Sequence, residues 1–203
     1  MFGLGFQAWW SISFIVLLAF TFLIGWSVKG AVLGILIDNR GRYSLTHFQL
    51  VLWTIVILSS LCGVLISKGF DPENLKIPNE LLALMGISAG SGILATGVKG
   101  VKDAPGSSAI VARIGKEIKD SKGNPIRITA KFSQIWLEEE GEHPDTSISI
   151  SKYQNFIFTL IILGFYISGA CKCGGLPELH QNVLWLIGIS HSGYVGGKIP
   201  NKA

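Results

Sequence analysis

Charged residues are scarce in this chain, and they are unevenly distributed. Asp, Glu, Lys and Arg make up 15% of the 203 residues, whereas apolar residues make up 49%. A soluble domain of this size normally carries about 25% charged residues. No charged residue precedes Lys29, while residues 99–152 are rich in them. This segregation predicts a membrane protein, because the hydrocarbon core excludes charge and the connecting loops tolerate it.

Cysteine is also scarce. Cys62, Cys171 and Cys173 do not form the even set of a disulfide framework. Cys171 and Cys173 with His180 would supply only three of the four ligands of a structural zinc site, so we predict no metal and no cofactor. The net charge of +4 is typical of a membrane protein with basic loops on one side, and we predict no nucleic-acid partner.

Five apolar segments predict an all-α, polytopic protein with five transmembrane helices. The first, Ala8–Trp26, is long enough to cross the bilayer and too long for the apolar region of a cleaved signal peptide, so we expect it to be retained. The other predicted spans are Leu45–Ser67, Leu81–Val98, Tyr153–Ala170 and Leu179–Gly197.

The spans and loops divide the chain into four parts. Residues 1–43 hold the leading helix and a charged turn, and residues 44–99 and 149–203 each hold a helical hairpin. Residues 100–148 form a polar loop, predicted to be cytoplasmic, with a short amphipathic helix around Phe132–Trp136. That helix fits either a membrane surface or a protein surface. The acidic run that follows lacks the spacing of an EF-hand and predicts a solvated loop.

The basic residues predict an orientation. Of the 17 Lys and Arg residues, only Lys68, Lys76 and Lys172 fall in the loops after the second and fourth spans. By the positive-inside rule, the N-terminus lies outside and the C-terminus inside.

The two hairpins share a pattern that indicates duplication. Each begins with an aromatic residue followed by Gln in its first helix, and each carries Gly-Ile-Ser in its second. The matching segments are Phe48-Gln49 and Tyr153-Gln154, and Gly86–Ser88 and Gly188–Ser190. Both copies start on the same side, so we expect parallel repeats about a pseudo-two-fold axis along the membrane normal.

Polar and small residues recur within the predicted spans. We expect Gln49 and Gln154 to make intramembrane polar contacts with neighbouring helices, because hydrocarbon offers no other partner. The Gly-Ile-Ser helices carry small and polar residues that either pack helices closely or line a narrow polar pore. These residues are Gly86, Ser88, Gly90, Ser91, Gly188, Ser190, His191, Ser192 and Gly193. His191 is the only titratable residue deep in any predicted span, which favours a functional role.

Three stretches resemble a set of uncharacterised bacterial integral membrane proteins. The stretches are RGRYSLTHFQLVLWT, ELLALMGIS and LPELHQNVLWLIGISHSGYVGGK. Proteins of this set pair a Tyr-Ser-Leu-x-x-Phe-Gln span with a Gly-Ile-Ser span, often in duplicate. The resemblance covers the second to fifth spans. It implies this architecture and a location in the bacterial cytoplasmic (inner) membrane, and it implies no activity.

The sequence therefore predicts a non-enzymatic homo-oligomer in the lipid bilayer, with an ion-conducting pore lined by the Gly-Ile-Ser helices. Two alternatives stay open. One is a structural or assembly subunit that docks a protein partner through residues 100–148. The other is an intramembrane hydrolase with Ser88 and His191, because Gly86–Gly90 fits G-x-S-x-G, although the motif lies within a helix rather than at a strand–turn–helix elbow.

Overall fold

Five long helices make up most of the computed structural model, which describes residues 5–71, 75–105, 107, 111, 117–119, 125–127, 130–141 and 144–199. The helices are α1 (Phe6–Lys29), α2 (Leu45–Ser67), α3 (Asn79–Lys102), α4 (Ile150–Cys173) and α5 (Gln181–Gly196). Two strands between α3 and α4, β1 (Glu117–Lys119) and β2 (Pro125–Arg127), pair in antiparallel register. Short 3-10 helices precede α2 at Gly34–Leu36 and α4 at Phe132–Ile135.

Helices α1 to α4 are each long and apolar enough to cross a membrane. The prediction of a helical membrane protein is confirmed to that extent. The fifth predicted span, Leu179–Gly197, is realised only as α5, which has 16 residues because the helix begins at Gln181. A helix of that length covers about 24 Å, against about 30 Å of hydrocarbon.

Helices α2 to α5 close into a ring, and α1 packs on its outside. Within the ring, α2 contacts α3 and α4, and α5 contacts the same two helices. Helix α1 packs along α2, where the indole N–H of Trp10 donates to the hydroxyl of Ser59 at 3.0 Å. Gly63 permits this close approach, because a Cβ there would lie 3.0 Å from Trp10.

The interior of the ring changes character along its length. One half, which we call the apolar half, is filled by a cluster of buried side chains. They are Trp53, Val56, Ile57, Leu81, Leu84, Ile162, Tyr166, Leu179 and Ile187. The other half, the polar half, lies towards the C-terminal ends of α3 and α5. Its buried polar residues include Thr46, Gln49, Ser88, Asn155, Thr159, Ser190 and His191.

The segments that lead into α2 and α4 have similar local structure. Each runs from a 3-10 helix into a loop closed by an isolated antiparallel bridge. The bridges are Ile37↔Tyr43 and Leu137↔Ile148. At the start of each helix a serine N–H donates back across the loop at 2.9 Å, from Ser44 to the carbonyl of Leu36 and from Ser149 to that of Trp136. Both loops therefore lead into their helices with the same arrangement of backbone hydrogen bonds.

The predicted amphipathic helix is the 3-10 turn Phe132–Ile135, and it packs on the bundle. Ile135 is fully buried in a cluster with Leu45, Ala95 and Tyr194, whereas Phe132 is 40% exposed. The segment could fit either a membrane surface or a protein surface, and its buried face contacts the protein, at the helical bundle.

Candidate functional site

A cluster of buried charges, which we call the charged end, closes the polar half of the ring. Its members come from the loop before α2, the end of α3, the loop before α4, the first turn of α4 and the residues after α5. They are Asp38, Arg40, Arg42, Lys99, Lys102, Asp103, Glu139, Glu140, Asp145, Lys152 and Lys198. The ends of four helices are thus joined by ion pairs.

Glu139 is the centre of this cluster and is only 5% exposed. Its carboxylate lies 2.9 Å from the ammonium of Lys99 and 3.5 Å from both the guanidinium of Arg40 and the ammonium of Lys152. Lys198, which follows α5, donates a hydrogen bond to the same carboxylate. One acidic side chain therefore connects four separate parts of the chain.

The neighbouring acids make further pairs with buried cations. Glu140 lies 2.5 Å from Lys102, and Arg42 lies 2.6 Å from Asp145. Arg42 is almost fully buried and also donates to the carbonyl of Glu138 at 3.3 Å. The prediction of a solvated acidic loop is therefore wrong for Glu139 and Glu140, which are buried, whereas Glu138 and Asp145 of the same run are partly exposed. The acids fold inward because the basic helix ends supply their counter-charges.

Electrostatics keeps Glu139, Asp38 and Arg40 ionised at neutral pH. Burial alone would raise the pKa of Glu139, but Lys152, Lys198 and Lys99 outweigh it and hold that pKa well below the usual range of a carboxyl. Burial would also raise the pKa of Asp38, but the charge of Lys99 and its hydrogen bond lower that pKa overall. Burial would lower the pKa of Arg40, and Glu139 and Asp103 raise it instead.

Two cavities open at the charged end, one at the start of α2 and one at the start of α4. The α2 cavity has a volume of about 140 Å³ and is lined in part by Ser44, Thr46 and Lys99. The α4 cavity has a volume of about 410 Å³. Its polar lining includes Ser149, Lys152, Tyr194, Lys198, Glu138, Glu139 and Glu140.

A succession of hydrogen-bonded side chains continues from the charged end into the polar half. Thr46 of α2 and Tyr194 of α5 share a hydrogen bond of 3.0 Å across the ring. About one turn further in, Gln49 donates to the hydroxyl of Thr159 on α4 at 2.6 Å. Ser190 donates to the side-chain oxygen of Asn155 at 3.1 Å. These contacts link α2, α4 and α5 over about one helical turn of the bundle.

His191 extends this polar set to α3. Its Nδ1 lies 2.5 Å from the hydroxyl of Ser91, and Ser91 also donates to the carbonyl of Ser88 at 3.0 Å. The hydroxyl of Ser88 is buried and has no hydrogen-bond partner among the described residues. His191 therefore contacts Ser91, and not Ser88 as the hydrolase hypothesis requires. If the single hydroxyl proton of Ser91 goes to the Ser88 carbonyl, His191 must be the donor of their shared hydrogen bond, and no nucleophile is activated.

The nine predicted residues of the Gly-Ile-Ser helices do not share one face. Ser88, Ser190 and His191 are buried inside the ring, and Ser91 joins them through its contact with His191. Gly86, Ser192 and Gly193 are exposed on the outside of the ring. Gly90 and Gly188 are partly buried, and a Cβ at either would meet nothing within 4 Å. The division follows from helix geometry, because residues two positions apart point to nearly opposite sides.

The structure places the two predicted glutamines in different environments. Gln49 is 3% exposed and donates to Thr159 of the neighbouring helix α4. Gln154 is exposed, and the buried amide of α4 is the next residue, Asn155, at 1% exposure. The motif match paired Gln49 with Gln154, whereas the inward face of α4 begins one residue later. The helical spacing of Asn155, Thr159, Ile162 and Tyr166 was the sequence signal for this face.

The cysteines and His180 do not come together as a metal site. Cys171 and Cys173 are exposed at the end of α4, and His180 caps α5 by accepting the N–H of Asn182 at 3.2 Å. Among the residues that the structure describes, no group of three or more His, Cys, Asp and Glu could hold a metal ion.

Replacing Glu139 tests the role of the cluster in stability. Glu139→Gln leaves several buried cations without their shared carboxylate, so we expect the free energy of unfolding to fall by about 3–5 kcal/mol. Thermal unfolding in detergent measures the change. Glu178→Gln is the matched control, because Glu178 is exposed and a surface change of this kind shifts stability by less than about 0.5 kcal/mol. Equal unfolding temperatures for the two variants would contradict the assignment.

The lowered pKa of Glu139 predicts a loss of stability in acid. The unfolded carboxyl titrates near its ordinary value of about 4.3, and the folded one titrates below that. The stabilisation is therefore fully present above about pH 4.3 and is lost as the pH falls through the folded pKa. The unfolding temperature of the wild type should drop across this window, and Glu139→Gln should flatten the drop. A slope unchanged by the substitution would assign the acid sensitivity to other groups.

Comparisons of the chain with protein-family models, with curated proteins and with solved structures gave no match. The function of the charged end and of the polar half is therefore inferred from their own geometry.

Proposed function

We propose that this protein conducts ions across a membrane along a path inside the helical ring. The observation that carries the proposal is the succession of buried polar side chains that runs from the charged end into the polar half. Burying so many polar groups at membrane depth is costly, and such groups commonly mark ion or proton pathways. Within the path, the Thr46–Tyr194 contact lies nearest the charged end and the Ser91–His191 contact lies deeper.

The apolar half acts as a closed gate in this proposal. Leu84 of α3 and Ile187 of α5 are 1% and 3% exposed, and both belong to the apolar cluster. From Ser88 to Leu84 the helix rises about 6 Å, so the polar set gives way to hydrocarbon side chains within about one turn. A dry apolar constriction blocks ions by excluding their water. Conduction therefore requires the helices to separate at this level.

The proposal includes five spans, with α5 as a short fifth span. Helix α5 contacts α3 and α4 on the inside of the ring, and irregular backbone at membrane depth is tolerated where protein covers it. The matching bridges before α2 and α4 support an origin of the two hairpins by duplication. The concentration of Lys and Arg favours a cytoplasmic location for the charged end, in a bacterial cytoplasmic membrane.

Assembly into a homo-oligomer remains part of the proposal. Gly86 and Gly97 are exposed on α3, and a Cβ at either position would meet nothing within 4 Å among the described residues. These glycines therefore do not serve packing within the described part of the chain, and a face without side chains allows another helix to approach closely.

Flux measurements in liposomes locate the path. His191→Leu should lower ion flux by at least about tenfold, because an apolar side chain then blocks the buried polar set. Ser192→Leu is the matched control, since Ser192 is the exposed neighbour on the same helix and its flux should stay at the wild-type level. If Ser192→Leu lowered the flux and His191→Leu did not, the path would lie on the outer face of the ring, along an oligomer axis.

Opening the gate provides the complementary test. Leu84→Ser should make the closed protein leak, because a hydroxyl admits water to the apolar constriction. Leu82→Ser is its control on the same helix, because Leu82 is 52% exposed. Absence of flux at every potential and pH, in the wild type and in Leu84→Ser alike, would contradict conduction.

An assembly subunit is the second candidate. The observation that favours it is the β1–β2 hairpin, which lies between two parts of the charged end, Lys102–Asp103 and Glu139–Glu140. Ion pairs fix both flanks, so a docking element would be presented on a rigid base. A protein that co-purifies with the intact chain and is lost when residues 112–129 are replaced by a short Gly-Ser linker would distinguish this function.

A further inference from the structure

Two buried polar groups inside the ring have no hydrogen-bond partner among the described residues. One is the hydroxyl of Ser88 on α3, and the other is the side-chain NH2 group of Asn155 on α4. The two residues are only 4% and 1% exposed. Buried polar groups are nearly always paired, because leaving one unpaired is costly. Two exceptions inside one helical ring therefore indicate a binding site.

Asn155 lies about one helical turn deeper in the ring than the Thr46–Tyr194 contact. Its side-chain oxygen accepts a hydrogen bond from Ser190 at 3.1 Å. Ser190 precedes Tyr194 by four residues on α5, which corresponds to a rise of about 6 Å. The unpaired NH2 group is therefore within the polar half, below the contact that lies nearest the charged end.

Ser88 lies at a similar depth on the opposite side of the ring. Gly92, four residues later on α3, faces Thr46, because a Cβ there would lie 3.2 Å from that side chain. Ser88 is therefore also about 6 Å deeper than Thr46. Helices α3 and α4 each pack between α2 and α5, so Ser88 and Asn155 approach the same interior from opposite sides.

The unpaired groups at this level offer hydrogens. The amide nitrogen of Asn155 carries two hydrogens and cannot accept a hydrogen bond, and the hydroxyl of Ser88 carries a third. Oxygens beside them are already in use, since the Asn155 side-chain oxygen accepts from Ser190 and the Ser88 carbonyl accepts from Ser91. A cation between the two groups would meet the positive edge of the amide, whereas an anion would be stabilised by it.

The helices of the ring bring no carboxylate to this level. Helices α2, α4 and α5 contain no Asp or Glu, and α3 contains only Glu80, more than two turns away from Ser88. Glu139 and Glu140, at the charged end, have lysines of their own. Paths for cations commonly offer carboxylates or free carbonyl oxygens. The unpaired donors therefore decide which sign of charge is favoured here.

A difference between the two hairpins explains why Ser88 is unpaired. Ser88 and Ser190 are the serines of the two Gly-Ile-Ser motifs, and Ser190 has Asn155 as its acceptor. Asn155 directly follows the aromatic–Gln pair of α4, and the residue that follows the corresponding pair of α2 is Leu50. Leucine offers no acceptor, so the hydroxyl of Ser88 stays available to a ligand.

We propose that the polar half binds a small monovalent anion between Ser88 and Asn155, and that the path conducts anions. An anion can accept hydrogens from both groups in charge-assisted hydrogen bonds. A water molecule would also need acceptors for its own two hydrogens, and the oxygens beside these groups already have donors. The selectivity rests on the proposed conduction, whereas the binding of the anion is measured without it.

Chloride is the probe for binding, with the full chain purified in detergent. Replacing sodium gluconate by sodium chloride at constant ionic strength should raise the unfolding temperature, because a ligand of the folded state stabilises it. Ser88→Ala should weaken chloride binding by about tenfold, as expected for the loss of a hydrogen bond to a charged group. Ser192→Ala is the matched control, because Ser192 is exposed outside the ring, and it should keep the wild-type affinity.

Further arms separate chloride binding from changes in folding. In gluconate, Ser88→Ala should not lower the unfolding temperature, since the hydroxyl that it removes has no partner among the described residues. Asn155→Leu copies Leu50 of the first hairpin and should abolish the effect of chloride. If Asn155→Leu does not fold, the comparison of Ser88→Ala with Ser192→Ala decides.

Three results would overturn the anion site. The first is stabilisation by sodium instead of chloride, measured by replacing sodium with N-methyl-D-glucamine at constant chloride. The second is an equal effect of chloride on the wild type and on Ser88→Ala. The third is no stabilisation by either ion, which would assign the unpaired groups to ordered water.

Liposomes with about a tenfold gradient of potassium chloride test the selectivity, with the wild type and with Leu84→Ser. The dilute side should become negative, because chloride crosses and potassium does not. A positive dilute side would overturn anion selectivity and leave conduction standing. Absence of any flux would contradict conduction, and the unfolding measurements would still decide whether chloride binds at Ser88 and Asn155.

Discussion

Burial of Glu139 is the interaction on which the arrangement of the helix ends depends. Removing a carboxylate from water costs several kcal/mol unless close cations and hydrogen bonds repay the loss. Glu139 meets that condition with Arg40, Lys99, Lys152 and Lys198. Because these cations come from four parts of the chain, the carboxylate can be buried only when the ring has its observed order. Apolar packing holds the other half, where no charged group is needed.

The helices could be predicted from the sequence, and the charged end could not. Apolar runs between charged loops locate α1 to α4 because the bilayer imposes that pattern on any chain that crosses it. The acidic run looked solvated because an isolated acidic loop normally is. The cations that pair with the acidic run were nevertheless visible in the sequence. Next to the ends of apolar runs lie Lys99, Lys102, Lys152 and Lys198. Basic helix ends together with one concentrated acidic run are the signal for such a cluster.

The inward faces show where motif matching and helix geometry diverge. Matching Phe48-Gln49 to Tyr153-Gln154 aligned the letters, but burial selects Asn155 because its side chain points to the same side as Thr159 and Ile162. The loops before α2 and α4 carry a second signal of the similarity between the two hairpins. Ile37-Asp38 and Leu137-Glu138 are each followed three residues later by a glycine, Gly41 or Gly141. Both glycines have positive φ, a conformation that side chains disfavour. The loop after Gly141 is longer, which hides this match from a single alignment.

The position of Lys198 after α5 has a consequence for biosynthesis. Translation delivers Arg40 and Lys99 before Glu139, and Lys152 shortly afterwards, but Lys198 leaves the ribosome only once α5 has been made. Until then the carboxylate lacks one of its hydrogen-bond donors, and the loop that carries it is held less firmly. A chain that stops before α5 therefore leaves Glu139 with three of its four cations, and burial of its carboxylate is correspondingly less well compensated.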